Sequence, residues 1–460
     1  MTDAALPTSG GGVLSRAYWL VTVGMCAVIG IAAFESLAVT TVMPIISAQL
    51  HGEALYSMSF AAPLATGLVG MVVAGNWADR SGPRVVVVTS VVVFAIGLLI
   101  VGLAPDMTVL LLGRLCQGFG SGAVIVALYV MVARLYPPEL HPSIFAGFAA
   151  AWVVPALVGP LVAGAVTQAL SWHWVFFGAV ALAVPAFAMI LPSLRSLEAP
   201  VFDDPASRPR WSLSRIAWAV GAAAGVLLLN LVGEMPAALA VVVIVVALVV
   251  LAVALRPLLP TGTLRAAAGL PTLVLLRGLV GAAFLSAEIY VPYMLASEYD
   301  FAPTASGITL TLGALAWSFA SWLQGRLGDR VPHRVGIRVG IVLVLIGLAA
   351  AIATPLWHLS PAVLIPCWTA AGFGVGFMYP RFSVLVLSWS RTTEQGFNSS
   401  ALTIADSAGT AVALALVGAA FAAFGGMTQP AAFVACFAVA GAIALLALAA
   451  SGRAVPRRAS

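Results

Sequence analysis

Residues 75–84 read GNWADRSGPR and residues 325–334 read GRLGDRVPHR. A shift of 250 positions puts Gly75, Asp79, Arg80 and Arg84 on Gly325, Asp329, Arg330 and Arg334. Each stretch lies between two long apolar runs, so one short charged connection is used twice at one interval. The same shift carries Ala32, Ala33, Phe34 and Ser36 onto Ala282, Ala283, Phe284 and Ser286. It also carries Gly122, Tyr129 and Gly159 onto Gly372, Tyr379 and Gly409. The chain therefore reads as a duplicated bundle, with the two charged stretches facing each other between the halves.

Of the 460 residues 62% are apolar and 8% are charged. A soluble globular chain carries about 25% charged residues, so this one cannot cover a water-facing surface and is read as an integral membrane protein. Its apolar runs are about 17–28 residues long, which suits spanning helices. A barrel would show alternating segments of about 10 residues instead. Met1–Gly12 lacks the basic-then-apolar layout of a cleaved signal, and the first span is expected to be retained.

Fourteen spans are expected: 18–43, 57–78, 85–104, 107–134, 143–168, 173–193, 216–232, 237–255, 270–296, 305–325, 335–354, 360–387, 397–424 and 429–450. They divide the chain into a tail at 1–17, a six-helix bundle at 18–194, linkers with two extra helices at 195–267, a second six-helix bundle at 268–450 and a tail at 451–460. The expected fold is all-α: two six-helix repeats plus an inserted two-helix hairpin. Every basic residue is arginine, and the net charge is +5. With the N-terminus inside, eighteen arginines face the cytoplasm and the outer loops hold none, which the positive-inside rule favours. An even number of spans then returns the C-terminus to the cytoplasm as well.

Composition and motifs also exclude some chemistry. The basic excess reports topology rather than nucleic-acid binding. There is no metal cluster, nucleophile motif or phosphate loop, so neither an enzyme nor a cofactor is expected. Cys26, Cys116, Cys367 and Cys436 all fall in apolar runs and read as small packing residues.

Gly75-x-x-x-Asp79-Arg80-x-Gly82-x-Arg84 resembles the major facilitator superfamily signature between helices 2 and 3. Arg114-x-x-Gln117-Gly118-x-Gly120 resembles its helix 4 motif, and Gly159-Pro160-x-x-Ala163-Gly164 its antiporter motif. Fourteen spans with an extra pair in the middle resemble the drug:proton antiporter branch. Pro155 and Ala163 stand where the antiporter motif usually has glycine, and Glu35 where the branch often has aspartate. The resemblance implies a monomeric, multi-pass transporter of a bacterial cell membrane, driven by the proton gradient and working by alternating access. Its partners are the lipid bilayer, protons and a small molecule. Proton-coupled efflux of amphipathic or lipophilic compounds such as drugs is the leading expectation, in which case the chain would confer antibiotic resistance. Symport or uniport of a defined metabolite is the alternative, and a lipid-handling protein is a more distant one.

An ionised group at mid-bilayer costs roughly 2.5–3.5 kcal/mol on insertion scales, so each one asks for a partner or a role. Glu35 lies about 25 Å above the inner end of its helix, and Arg114 about 10 Å below the outer end of its own. The two reach similar heights, and the resemblance implies that both helices line the cavity, so they are expected either to form a fixed packing pair or to alternate with a proton and substrate. Glu288 maps by the repeat onto Ala38, on the helix face of Glu35. Glu288 is expected to serve coupling, to pair with Arg381 or Arg277, or to sit solvated near the outer mouth. Arg381, just after Pro380, is expected to bind an anion, partner a carboxylate or snorkel; Arg277 is expected to snorkel. Asp406 is expected to take up a proton on the inner side or to partner Arg381.

Asp79 is expected to be drawn to the positive end of a helix in the other half. The resemblance points to the helix that starts near Asn398-Ser399-Ser400. By the repeat, Asp329 would face the helix start near Ser143, while Arg80, Gly82, Arg84, Arg330 and Arg334 hold the turns. Gly159, Pro160 and Gly164 form a small-residue face expected to pack closely and to bend the fifth span or limit proton leak.

Overall fold

The computed structural model describes residues 12–51, 55–197, 210–231, 235, 237–301, 303–425 and 429–454. Among them there is no strand. The first set of helices is α1 (Trp19–Gln49), α2 (Tyr56–Ser81), α3 (Pro83–Gly102), α4 (Met107–Leu135), α5 (His141–Ala150), α6 (Val153–Ala169) and α7 (His173–Leu194). Two further helices follow, α8 (Leu213–Leu231) and α9 (Ala237–Leu258). The second set is α10 (Leu270–Glu288), α11 (Tyr290–Tyr299), α12 (Pro303–Leu327), α13 (His333–Leu356), α14 (Pro361–Ser388), α15 (Gln395–Ala423) and α16 (Pro430–Ala450).

Twelve helical stretches among the described residues are long and apolar enough to cross a membrane. Two of the fourteen expected spans are not among them. The apolar part of α8, Leu213–Leu229, is shorter than the rest. The other is α12, which carries Ser318, Ser321, Gln324 and Arg326 through its second half.

Neighbour relations repeat between the two sets. In the first, α2 and α3 pack on α4, and α1 packs on α6 and α7; in the second, α12 and α13 pack on α14, and α10 packs on α15 and α16. Small residues permit the close crossings that hold helices together in lipid. A Cβ on Gly122 would stand 2.2 Å from the Gly67 carbonyl oxygen. One on its repeat counterpart Gly372 would stand 2.4 Å from the Gly313 carbonyl oxygen.

Two expected spans are each built from two helices, with a proline explaining both breaks. The fifth span stops at Ala150 and restarts at Val153: Pro155 has no N–H for the Ala151 carbonyl four residues upstream, and its ring would meet the backbone there. The ninth stops at Glu288 and restarts at Tyr290, and Pro292 has no N–H for the Glu288 carbonyl. α6 runs as helix through Gly159-Pro160. Likewise α14 passes Pro380 without interruption.

The opening stretch is helix rather than loop. Residues 75–81 are the last two turns of α2, and the reversal into α3 is made at Gly82 alone, with φ +80°. That backbone region favours glycine, and Pro83 then starts α3 at a position that needs no N–H. The second copy turns earlier, at Gly328 with φ +52°, through a short 3-10 segment, Gly328–Arg330. The repeat is thus kept in residue positions but not in the detail of the turn.

Candidate functional site

The contacts that join the two sets gather at the arginine-rich end of the bundle. Asp79, on the last turn of α2, is 5% exposed. Its Oδ1 accepts from the Gly396 N–H at 2.6 Å and its Oδ2 from the Phe397 N–H at 2.8 Å. These are first-turn amides of α15, where the helix dipole is positive and the N–H groups have no intrahelical acceptor. The contact falls two residues upstream of the expected Asn398. Close approach is built in at Gly75, where a Cβ would stand 2.5 Å from the Gly396 carbonyl oxygen. Arg134, at the end of α4, donates to the Thr392 carbonyl at 3.4 Å, and its charge acts on Asp79. Arg134 was not singled out in the sequence; its place in the last turn of α4 was the available signal.

On the second seam, α12 meets α5. A Cβ on Gly325 would stand 3.3 Å from Ser143 Cα, so the pairing expected near Ser143 is present in the backbone. The side chain of Asp329 lies outside the described residues. Arg80 and Arg334 are half-buried, while Arg84 and Arg330 are exposed.

Deeper in the first set, Glu35 of α1 and Arg114 of α4 form an ion pair, with side chains 6% and 4% exposed. Arg114 has two further acceptors: its Nη1 donates to Gln117 Oε1 at 2.7 Å, and its Nε to the Ser59 carbonyl at 3.0 Å. One guanidinium thus joins α1, α2 and α4. Gln117 lies one helical turn from Arg114, which accounts for the spacing of the helix 4 motif. Gly118 closes the same helix against α2, since a Cβ there would stand 2.3 Å from Pro63 Cα.

The second set holds a different pair. Arg277 of α10 reaches Asp406 of α15, with Nε and Nη2 each 2.9 Å from Oδ2. Tyr379 of α14 donates its hydroxyl to Asp406 Oδ1 at 3.1 Å. The Arg277 guanidinium also lies 3.7 Å from the centre of the Tyr379 ring. This corrects two expectations: Arg277 does not snorkel, and the partner of Asp406 is Arg277 rather than Arg381. Counted from the helix starts, Arg277 and Asp406 stand about 10 and about 16 Å into the bundle, a gap that an arginine spans. That arithmetic was available in the sequence.

Arg381 is fully buried and serves the second charged turn. Its Nη1 donates to the Val331 carbonyl at 2.9 Å and its Nε to the Phe377 carbonyl at 3.3 Å. It fills the space left by Gly336, where a Cβ would stand 2.6 Å from Nε. It is therefore an anchor for the turn and not a partner of Glu288 or Asp406. Glu288 sits at the break between α10 and α11, half-buried, and among the described residues it has no ion-pair partner. Its charge acts on Tyr379, which also belongs to an aromatic wall. Within that wall Phe284 stacks on Trp368 at 5.2 Å, and Trp317 meets Tyr379 edge-on at 5.2 Å. Gly159 lies against Phe34, while Gly164 has open space beside it, so the small-residue face of α6 is not closely packed along its whole length. No cluster able to hold a metal ion is present among the described residues.

The sequence profile of the Major Facilitator Superfamily matches residues 23–287 and 273–460. The chain belongs to that superfamily. It is thus a membrane transporter and not an enzyme. It is 23% identical over 374 residues to the multidrug efflux pump SdrM of Staphylococcus aureus, covering 80% of this chain and 81% of that protein. It is 30% identical over 179 residues to an acurin A biosynthesis cluster transporter of Aspergillus aculeatus, covering 39% of this chain but 32% of that protein's length. Among solved structures, the human organic anion transporter MFSD10 superposes with a TM-score of 0.68 at 15% identity, covering 94% of this chain and 99% of that one. The proton:xylose symporter XylE superposes with a TM-score of 0.64 at 14% identity, covering 95% and 96%. At such identities the structures share the fold alone.

Proposed function

We propose that this transporter is a proton-coupled exporter of amphipathic or lipophilic small molecules, working by alternating access. The reading rests above all on the buried Glu35–Arg114 pair and the two extra acceptors of Arg114. A proton arriving on Glu35 removes its charge and frees the carboxyl group. Arg114 is not stranded by this, because Gln117 and the Ser59 carbonyl still accept from it. The pair can therefore open at small cost, whereas a buried arginine with one acceptor could not.

In this reading the chain crosses the cell membrane fourteen times, with both termini and the arginine-rich end in the cytoplasm. The closed end seen here is then the cytoplasmic gate, held by Asp79 on α15, and the conformation is the one that loads protons from outside. Glu288, without an ion-pair partner among the described residues, is the group suited to a cationic substrate, and the aromatic wall supplies cation–π and apolar contact. The likeness to SdrM over four-fifths of the chain supports export over import.

Everted vesicles test the reading with a panel of lipophilic cations and anions. An inside-acid gradient is expected to drive cation uptake that collapses when the gradient is dissipated. Uptake driven instead by an inside-alkaline gradient, or indifferent to pH, would replace antiport with symport or uniport.

A further inference from the structure

The inserted hairpin is not a bystander on the bundle surface. α8 packs along α2, and both α8 and α9 touch α15, so the hairpin lies over the seam between the two sets of helices. Its attachment to the first set includes Trp211 against Trp77 of α2, with ring centroids 6.2 Å apart. Toward the second set it presents Arg215, whose guanidinium stands 4.1 Å from the centre of the Phe397 ring. Phe397 is the residue whose N–H is held by Asp79. The charge of Arg215 also acts on Asp79, together with that of Arg134. Val72, Asn76, Arg215, Leu258, Phe397 and Ser400 enclose one small cavity, in which α2, the hairpin and α15 meet.

We propose that Arg215 is a positioning residue of the gate, and that the hairpin acts as a third gate element beside α2 and α15. Arg215 does two things in the closed state. It pins the first turn of α15 through the Phe397 ring, a cation–π contact well within the roughly 6 Å reach of that interaction. It also adds to the positive charge that Arg134 brings to a buried Asp79, whose hydrogen bonds come from neutral amides. When the gate opens, α15 moves away from α2 and from the hairpin anchored on it, and both interactions are lost together. The closed gate is then set by residues from both halves and from the insert.

Distance measurements across the gate test this without reference to substrate or protons. The full-length protein in lipid nanodiscs, with its four cysteines replaced, would carry spin labels at Glu139→Cys and Thr393→Cys, exposed sites on either side of the gate. Arg215→Gln is expected to raise the long-distance population at least threefold, Arg215→Lys to keep most of the short one, and exposed Arg210→Gln to change nothing. Phe397→Leu leaves every charge in place and is expected to reproduce the Arg215→Gln shift. Asp79→Asn should shift the population further, and adding Arg215→Gln to Asp79→Asn should shift it by less than Arg215→Gln does alone, because only the Phe397 contact is then left to lose. Distances in Arg215→Gln and Phe397→Leu matching those of the unsubstituted protein would overturn the proposal. So would a full further shift when Arg215→Gln is added to Asp79→Asn.

Discussion

The two halves solve the same problem, an arginine and a carboxylate inside a membrane bundle, in opposite ways. In the first, Arg114 has three acceptors: Glu35, Gln117 and the Ser59 carbonyl. In the second, Arg277 has Asp406 and the face of the Tyr379 ring, while Asp406 takes a second hydrogen bond from the Tyr379 hydroxyl. The spare acceptors sit around the cation in one half and the spare donor around the anion in the other. The first arrangement tolerates loss of the carboxylate charge; the second is built to keep it. The repeat does not dictate the difference, since Arg277 and Asp406 map onto Ala27 and Ala156. The halves share a scaffold and have diverged in chemistry.

Several substitutions break or sharpen this contrast. Arg114→Gln should be the most damaging, because it leaves Glu35 buried without a cation; a loss of about 3–5 kcal/mol is expected, read as a fall in thermal unfolding temperature in detergent together with loss of transport. Asp406→Asn should come next, removing the one anion of Arg277 at a cost of about 1.5–3 kcal/mol. Glu35→Gln should be milder in stability, within about 1 kcal/mol, because two acceptors of Arg114 remain, yet it should abolish pH-driven transport. An unfolding temperature lower for Glu35→Gln than for Asp406→Asn would reverse the assignment of roles. Tyr379→Phe should be the smallest, removing one hydrogen bond while keeping the ring, for about 1 kcal/mol.

The contact of Asp79 with the start of α15 was legible in the sequence because its signal is chemical and duplicated: Gly, Asp and Arg stand at matched positions in an alanine- and valine-rich chain. The Glu35–Arg114 pair was legible because helix rise brings the two to one height and the family resemblance puts both helices on one cavity. Arg277 and Asp406 were within reach of the same arithmetic, but rise says nothing about which way a side chain points. On α15, Ser399, Thr403, Asp406 and Thr410 recur at helical spacing, a polar stripe that could have shown which way Asp406 faces; α10 offers no comparable stripe around Arg277. The hydrogen bonds from Arg381 to the Phe377 and Val331 carbonyls leave no mark in the sequence. The breaks at Ala151 and Ile289 could have been read from Pro155 and Pro292, each of which withdraws the bond that would bridge the break. The hairpin was hardest, since it matches neither repeat and only its packing shows Arg215 beside Phe397.

The central claim is that Glu35 releases Arg114 when it takes a proton. It is tested most directly by loading everted vesicles with a pH-sensitive dye under an inside-acid gradient and adding a transported lipophilic cation. The unsubstituted protein should release protons as substrate enters. Glu35→Gln, folded and at equal abundance, should release none above background, while substrate exchange at equal pH persists. Proton release by Glu35→Gln at the unsubstituted rate would contradict the account and leave the pair a structural clasp.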